Sequence, residues 1–220
     1  PLYSSAASDV YKRQPLHRAG HSRAGERVVQ RREFFHMTLA ASVYIATSLD
    51  GFIAREDGSI DWLMEANTKV PPGEDCGYAA FMSTIDVLIM GRNTYDQVAG
   101  FEPWPYEGRR VVVLTSREVR FRTGPGIQLE KSSEAPQELL SRLSSEGCKH
   151  AYVDGGKVIQ SFLSQGLIDR MTITKIPILI GQGRSLFGKM PGDAKLKLIE
   201  STAYDFGFIQ STYLARADAL

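Results

Sequence analysis

Cysteine is scarce in this 220-residue chain, and Cys76 and Cys148 stand far apart with no second pair. That excludes a disulfide framework and the paired spacing of a zinc site, and it suits a reducing cytoplasm. No metal is implied. No apolar run approaches the about 20 residues of a membrane-spanning helix, and the first residues lack a signal peptide's apolar core. Net charge is low as well, +1. Residues 1–36 hold seven Lys/Arg against three Asp/Glu, leaving 19 against 22 for residues 37–220. The basic excess therefore lies outside the part that reads as folded, and no nucleic-acid face is expected there.

Residues 1–36 also lack a sustained hydrophobic period, and they carry His17, His21 and His36, three of the four histidines. Such a segment buries too little surface to offset its ordering entropy and reads as a disordered leader, with Met37 the expected start. Residues 37–220 have the length of one domain with a sizeable core.

In that domain the apolar runs are short and each ends in a turn. Residues 38–47 run apolar, as a strand covered on both faces does, and lead into Ser48-Leu49-Asp50-Gly51. Asp50 stands just past a central strand, where open α/β sheets place their ligands. It is an acid/base candidate or a turn aspartate bonding its own backbone. Trp62 follows a turn at residues 56–59 and is either a pocket roof or core. Residues 74–85 read as an amphipathic helix with Tyr78, Phe81 and Met82 on one face.

Residues 86–90 form a second buried strand that runs into Gly91-Arg92-Asn93-Thr94-Tyr95. Arg92 at a helix start brings a fork for phosphate and Thr94 a hydroxyl. Residues 110–114 are a third strand, ending in Thr115-Ser116-Arg117, which suits a further phosphate such as the one that separates NADP from NAD. A helix over 133–146 precedes a strand over 151–153. Next come Asp154-Gly155-Gly156-Lys157 and a helical period in Val158, Ile159, Phe162 and Leu163. Free N–H groups at such a helix start suit an anion, although a Gly-Gly alone is equally a tight turn. A strand over 170–176, a glycine-rich loop over 177–183 and a hairpin over 195–204 and 208–215 complete the chain.

Taken together, Gly91-Arg92-Asn93-Thr94-Tyr95, Thr115-Ser116-Arg117 and Asp154-Gly155-Gly156 resemble the strand ends of the dihydrofolate-reductase-like superfamily. The likeness is closer to the reductase domain of the riboflavin-pathway deaminase/reductase and its stand-alone bacterial relatives. It is carried by Ser48-Leu49-Asp50-Gly51, Gly155-Gly156, Gly166-Leu167-Ile168-Asp169 and Pro177-Ile178-Leu179-Ile180-Gly181-Gln182-Gly183. The likeness implies an α/β fold: an eight-stranded, mostly parallel sheet, helices on both faces and an antiparallel C-terminal hairpin. It also implies NADPH across the strand ends, contacted by Ala46, Ile53, Gly91 to Thr94, Thr115 to Arg117, and Asp154, Gly155, Gly156, Lys157, Val158 and Ile159. A cis peptide at Gly155-Gly156 and a homodimer belong to the same expectation.

The same resemblance makes Asp50 the catalytic candidate and sets a pterin- or pyrimidine-type substrate against Asp50, Trp62, Tyr78 and Phe81. Folate reductases proper carry an acid where this chain has Gly77, the nearest being Glu74 and Asp75. Folate reduction is therefore the alternative, and a nucleotide-binding protein without turnover the alternative from another class. No His-x-Glu with a later Pro-Cys-x-x-Cys occurs, so the zinc deaminase half has no counterpart.

Overall fold

A computed structural model describes residues 39–215; the expected leader lies outside the described residues. The strands are β1 (Ala40–Ser48), β2 (Phe52–Ala54), β3 (Val87–Gly91), β4 (Arg110–Leu114), β5 (Gln128–Ser132), β6 (His150–Asp154), β7 (Arg170–Ile176), β8 (Arg184–Ser185), β9 (Lys197–Ala203) and β10 (Ile209–Leu214). Five helices lie between them: α1 (Asp61–Asn67), α2 (Tyr78–Ser83), α3 (Arg92–Val98), α4 (Pro136–Ser145) and α5 (Gly156–Ser164).

Eight strands form one sheet in the order β5-β4-β3-β6-β1-β7-β10-β9. Pairing is parallel from β5 to β7 and antiparallel for β7, β10 and β9. β1 lies between β6 and β7, and eight of its nine residues are buried, which is why its sequence runs apolar instead of alternating. Its side chains still alternate in direction. Ala41, Val43 and Ile45 meet Leu139 and Leu143 of α4 and Val158, Ile159 and Phe162 of α5 in one core, while Tyr44 joins Tyr78, Met82, Tyr95 and Tyr152 in the core on the other face. Helices thus cover both faces.

Three local features depart from the sequence reading. α2 begins at Tyr78 because Cys76 and Gly77 are both left-handed and the Asp75 carboxylate accepts the N–H groups of Gly77 and Ala79, each at 2.8 Å. Residues 61–67 form a helix that buries Trp62, Leu63 and Ala66. β2 and β8 pair antiparallel as a separate two-stranded ribbon, too short to show a period in sequence. The two cysteines are free, and no helix among the described residues is long and apolar enough to cross a membrane.

Candidate functional site

The C-terminal ends of β4, β3, β6 and β1 open into one cavity of about 700 Å³. Neighbouring strands stand about 4.8 Å apart, so these four ends span roughly 14 Å. The cavity gathers Thr115, Ser116 and Arg117 after β4, Gly91 to Thr94 after β3, Asp154 to Val158 after β6, and Ala46 of β1. The β2–β8 ribbon closes one side with Ile53, Ala54 and residues 183–185.

The glycine pair is shaped by close packing. Gly155 has φ +86° and ψ 132°, a backbone region nearly restricted to glycine, and a Cβ there would overlap Thr94 Oγ1. A Cβ on Gly156 would stand 2.8 Å from Ile53 Cδ1. The missing side chains let α3 and the ribbon close on the start of α5. The buried Asp154 carboxylate accepts the Gly155 N–H at 2.7 Å. Burial raises the Tyr106 phenol well above its ordinary range, and the nearby Tyr78 and Asp154 add to the shift. The expected cis bond is absent: Gly155–Gly156 is trans, and the cis peptide among the described residues is Glu102–Pro103. α5 also opens without a side-chain cap, so no side chain takes its first N–H groups, and Gly156, Lys157 and Val158 line the cavity.

The cations differ in availability. Arg92 donates from Nε to both oxygens of Asp96, at 2.7 and 2.8 Å, and from Nη1 to the Glu118 carbonyl at 2.7 Å. Most of its fork is thus engaged within the protein, contrary to the sequence reading. Among the described residues no carboxylate forms an ion pair with Arg117, whose own N–H bonds the Thr115 hydroxyl at 3.1 Å and fixes the turn.

Several candidates fall outside the cavity wall. Asp50 is exposed and its carboxylate accepts the Ile180 and Gly181 N–H groups at 3.3 and 2.8 Å, tying the β1 end to the 177–183 loop. The Ser48 hydroxyl, with those two N–H groups, holds the carboxyl below the usual carboxylate range. Trp62 is 2% exposed and packs with Ala46, Ile176 and Phe208; Tyr78 is 3% exposed. Phe81 stacks on Tyr44 at 4.9 Å and meets Tyr152 edge-on at 5.0 Å. The helical spacing that marked Tyr78 and Phe81 is that of a core face, so the three aromatics back the fold instead of facing a ligand. Ile159 likewise lies wholly in the core. Glu74 and Asp75 both accept backbone N–H groups of their own turn.

Sequence reading missed Gln97, Gln160, Leu63 and Arg184, which also line the cavity. Gln97 lies one helical turn after Asn93, a spacing that marks a shared face. Arg184 belongs to a two-residue strand and gives no such signal.

Comparison with known proteins adds four findings. Residues 42–209 match the sequence model of the RibD C-terminal domain. The chain is 36% identical over 159 residues to the Bacillus subtilis protein YwjB, covering 71% of this chain and 87% of that one. It is 26% identical over 158 residues to the riboflavin biosynthesis protein RibD of Corynebacterium ammoniagenes, covering 69% of this chain and 45% of that one. Among solved structures, a putative riboflavin biosynthesis protein from Shewanella sp. PV-4 superposes with a TM-score of 0.75 at 37% identity, over 81% of this chain and 99% of that one.

Proposed function

The chain belongs to the RibD C-terminal domain family, and on that premise we propose that it is an NADPH-dependent oxidoreductase acting on a pterin- or pyrimidine-type small molecule. The reading nearest to hand is a 5-amino-6-(5-phosphoribosylamino)uracil reductase, the activity carried in the name of a Thermotoga maritima structural relative. What supports it is one cavity that joins strand ends lying 40 residues apart, from Thr115 to Gly155, in the order a dinucleotide needs.

The residues fit the cofactor. Thr115, Ser116 and Arg117 offer two hydroxyls and an available guanidinium to the adenosine phosphate. Gly91 to Thr94 and the first N–H groups of α5 would hold the diphosphate, and Ala46 and Ile53 would make an apolar seat for the nicotinamide end. NADPH, when bound, supplies the hydride; the protein orients the substrate beside it and excludes water. Titration calorimetry should give tighter binding of NADPH than of NADH, and NADPH oxidation should follow addition of the phosphoribosylaminouracil and not of dihydrofolate. Equal affinity for both nucleotides, or binding of neither, sinks the reading. Tight NADPH binding with silence toward both substrates favours a nucleotide-binding protein without turnover.

Asp50 has a positioning part in this reading. A carboxyl held below the usual range stays ionised from about pH 5 to pH 8 and is a poor proton donor there. Asp50→Asn should therefore lower turnover by a constant factor of about ten across that range, with NADPH affinity unchanged. An acid limb present in the wild type and absent in the variant would restore Asp50 as the proton donor.

The protein is further proposed to work in the cytoplasm as a homodimer. β9 is a sheet edge, and Leu198 and Ile209 stand exposed on one face of its hairpin, a self-complementary surface for a second copy. Leu198→Asp should convert the dimer to monomer in sedimentation velocity; an unchanged mass would place the interface elsewhere.

A further inference from the structure

We propose that Arg184 is the residue that recognises an oxyanion group, phosphate or carboxylate, on the molecule being reduced. This rests on the cofactor assignment above and goes beyond it to the substrate.

The cavity wall carries three arginines, and they are not equivalent. Arg92 is neutralised by Asp96. Arg117 stands after β4, at the adenosine end. Arg184 opens β8, opposite Ala54 of β2, in the ribbon whose strands continue from the ends of β1 and β7. The strand order runs β4-β3-β6-β1-β7. A cofactor with its adenosine phosphate at β4 and its diphosphate at β3 and β6 therefore brings its reducing end to β1. Arg184 pairs with Ala54, in the ribbon strand that follows β1 in the chain, and the proposal assigns it to the second molecule instead of the cofactor.

The guanidinium is also held in place before any ligand arrives. Its Nε donates to the Glu56 carbonyl at 3.2 Å. Its flat face rests on Gly58, where an added Cβ would stand 2.8 to 2.9 Å from Nη1, Cζ and Nη2. The turn beneath it is closed by Gly58 N–H to the Arg55 carbonyl at 3.0 Å and by Ser59 N–H to Asp57 Oδ1 at 2.8 Å. Asp57 lies near enough to feel the charge, yet among the described residues no carboxylate forms an ion pair with Arg184. Nη1 and Nη2 thus remain as a fixed pair of donors, and a planar fork of that kind matches a phosphate or carboxylate with two parallel hydrogen bonds. Leu63 and Ile60 add apolar wall to the same cavity, so one charged end and one apolar body describe the ligand. Fixing the fork in advance lowers the ordering cost of binding.

The test uses the full chain saturated with NADPH and three probes: ribose 5-phosphate, ribose and p-aminobenzoylglutamate. Ribose 5-phosphate binding with no detectable ribose binding assigns a phosphate; binding of p-aminobenzoylglutamate alone assigns a carboxylate. In either case Arg184→Ala should weaken the bound probe at least tenfold, Arg184→Lys should recover only part of the loss, and NADPH affinity should stay within twofold of wild type. Unfolding temperature confirms that the exposed substitution leaves the fold intact. The proposal is overturned if the charged probes bind the variant as they bind the wild type, if neither binds the wild type, or if Arg184→Ala weakens NADPH instead. Failure of NADPH to bind the wild-type protein is a separate result and overturns the cofactor assignment.

Discussion

Gly155→Ala should abolish cofactor binding at micromolar concentration, a loss of at least a hundredfold. Two effects combine. A side chain at φ +86° costs about 1–3 kcal/mol in backbone strain, which in a domain of this size lowers the unfolding temperature by roughly 2–12 °C. The new methyl group also runs into Thr94 Oγ1 and pushes the start of α3 away from the start of α5, parting two of the three strand ends that the nucleotide must bridge. Gly166→Ala separates the two effects. Gly166 has φ +65° with open space where its Cβ would go, so this variant should lose stability and keep its NADPH affinity. Equal affinity losses in both variants would show that general destabilisation accounts for the result at Gly155.

Arg117→Ala should erase the preference for NADPH over NADH. Hydrogen bonds to a charged group contribute about 1.5–3 kcal/mol, so NADPH affinity should fall about 10- to 100-fold while NADH affinity stays where it was. The argument is local: the Thr115 hydroxyl accepts the Arg117 N–H and so fixes the turn at the end of β4, leaving the guanidinium for a ligand. Arg92→Ala makes the contrast. With that side chain bound to Asp96 and to the Glu118 carbonyl, its loss should cost stability and affect both nucleotides alike. A fall in NADH affinity equal to that in NADPH for Arg117→Ala rules out a role in reading the 2′-phosphate.

The long apolar strands and the glycines at their ends were legible in sequence because both signals are local. β4 and β7 keep their sequence boundaries, and Gly91, Thr115 and Gly155 reach a common cavity. Side-chain direction was not legible. The spacing that places Tyr78 and Phe81 on one helix face is identical whether that face meets a ligand or a core, and here tyrosines of β1 and β6 fill the space. The engagement of Arg92 by Asp96 was readable as an i,i+4 pair. The bonds from Asp50 to Ile180 and Gly181 cross 130 residues of sequence, and Arg184 reaches the wall only through the pairing of a three-residue with a two-residue strand. No periodicity encodes either contact.

The place of β1 in the sheet also sets the timing of folding as the chain is made. This strand leaves the ribosome before every other strand of the sheet, yet its partners are β6 and β7, with Ser42 aligned to Tyr152 on one side and Arg170 on the other. At about 5–20 residues per second, more than a hundred residues of synthesis separate β1 from its first neighbour, an interval on the order of 5–20 s. For that interval the longest strand of the sheet, with eight of its nine residues buried in the finished fold, has no native partner, so chaperone binding during translation should concentrate on nascent chains that end before β6.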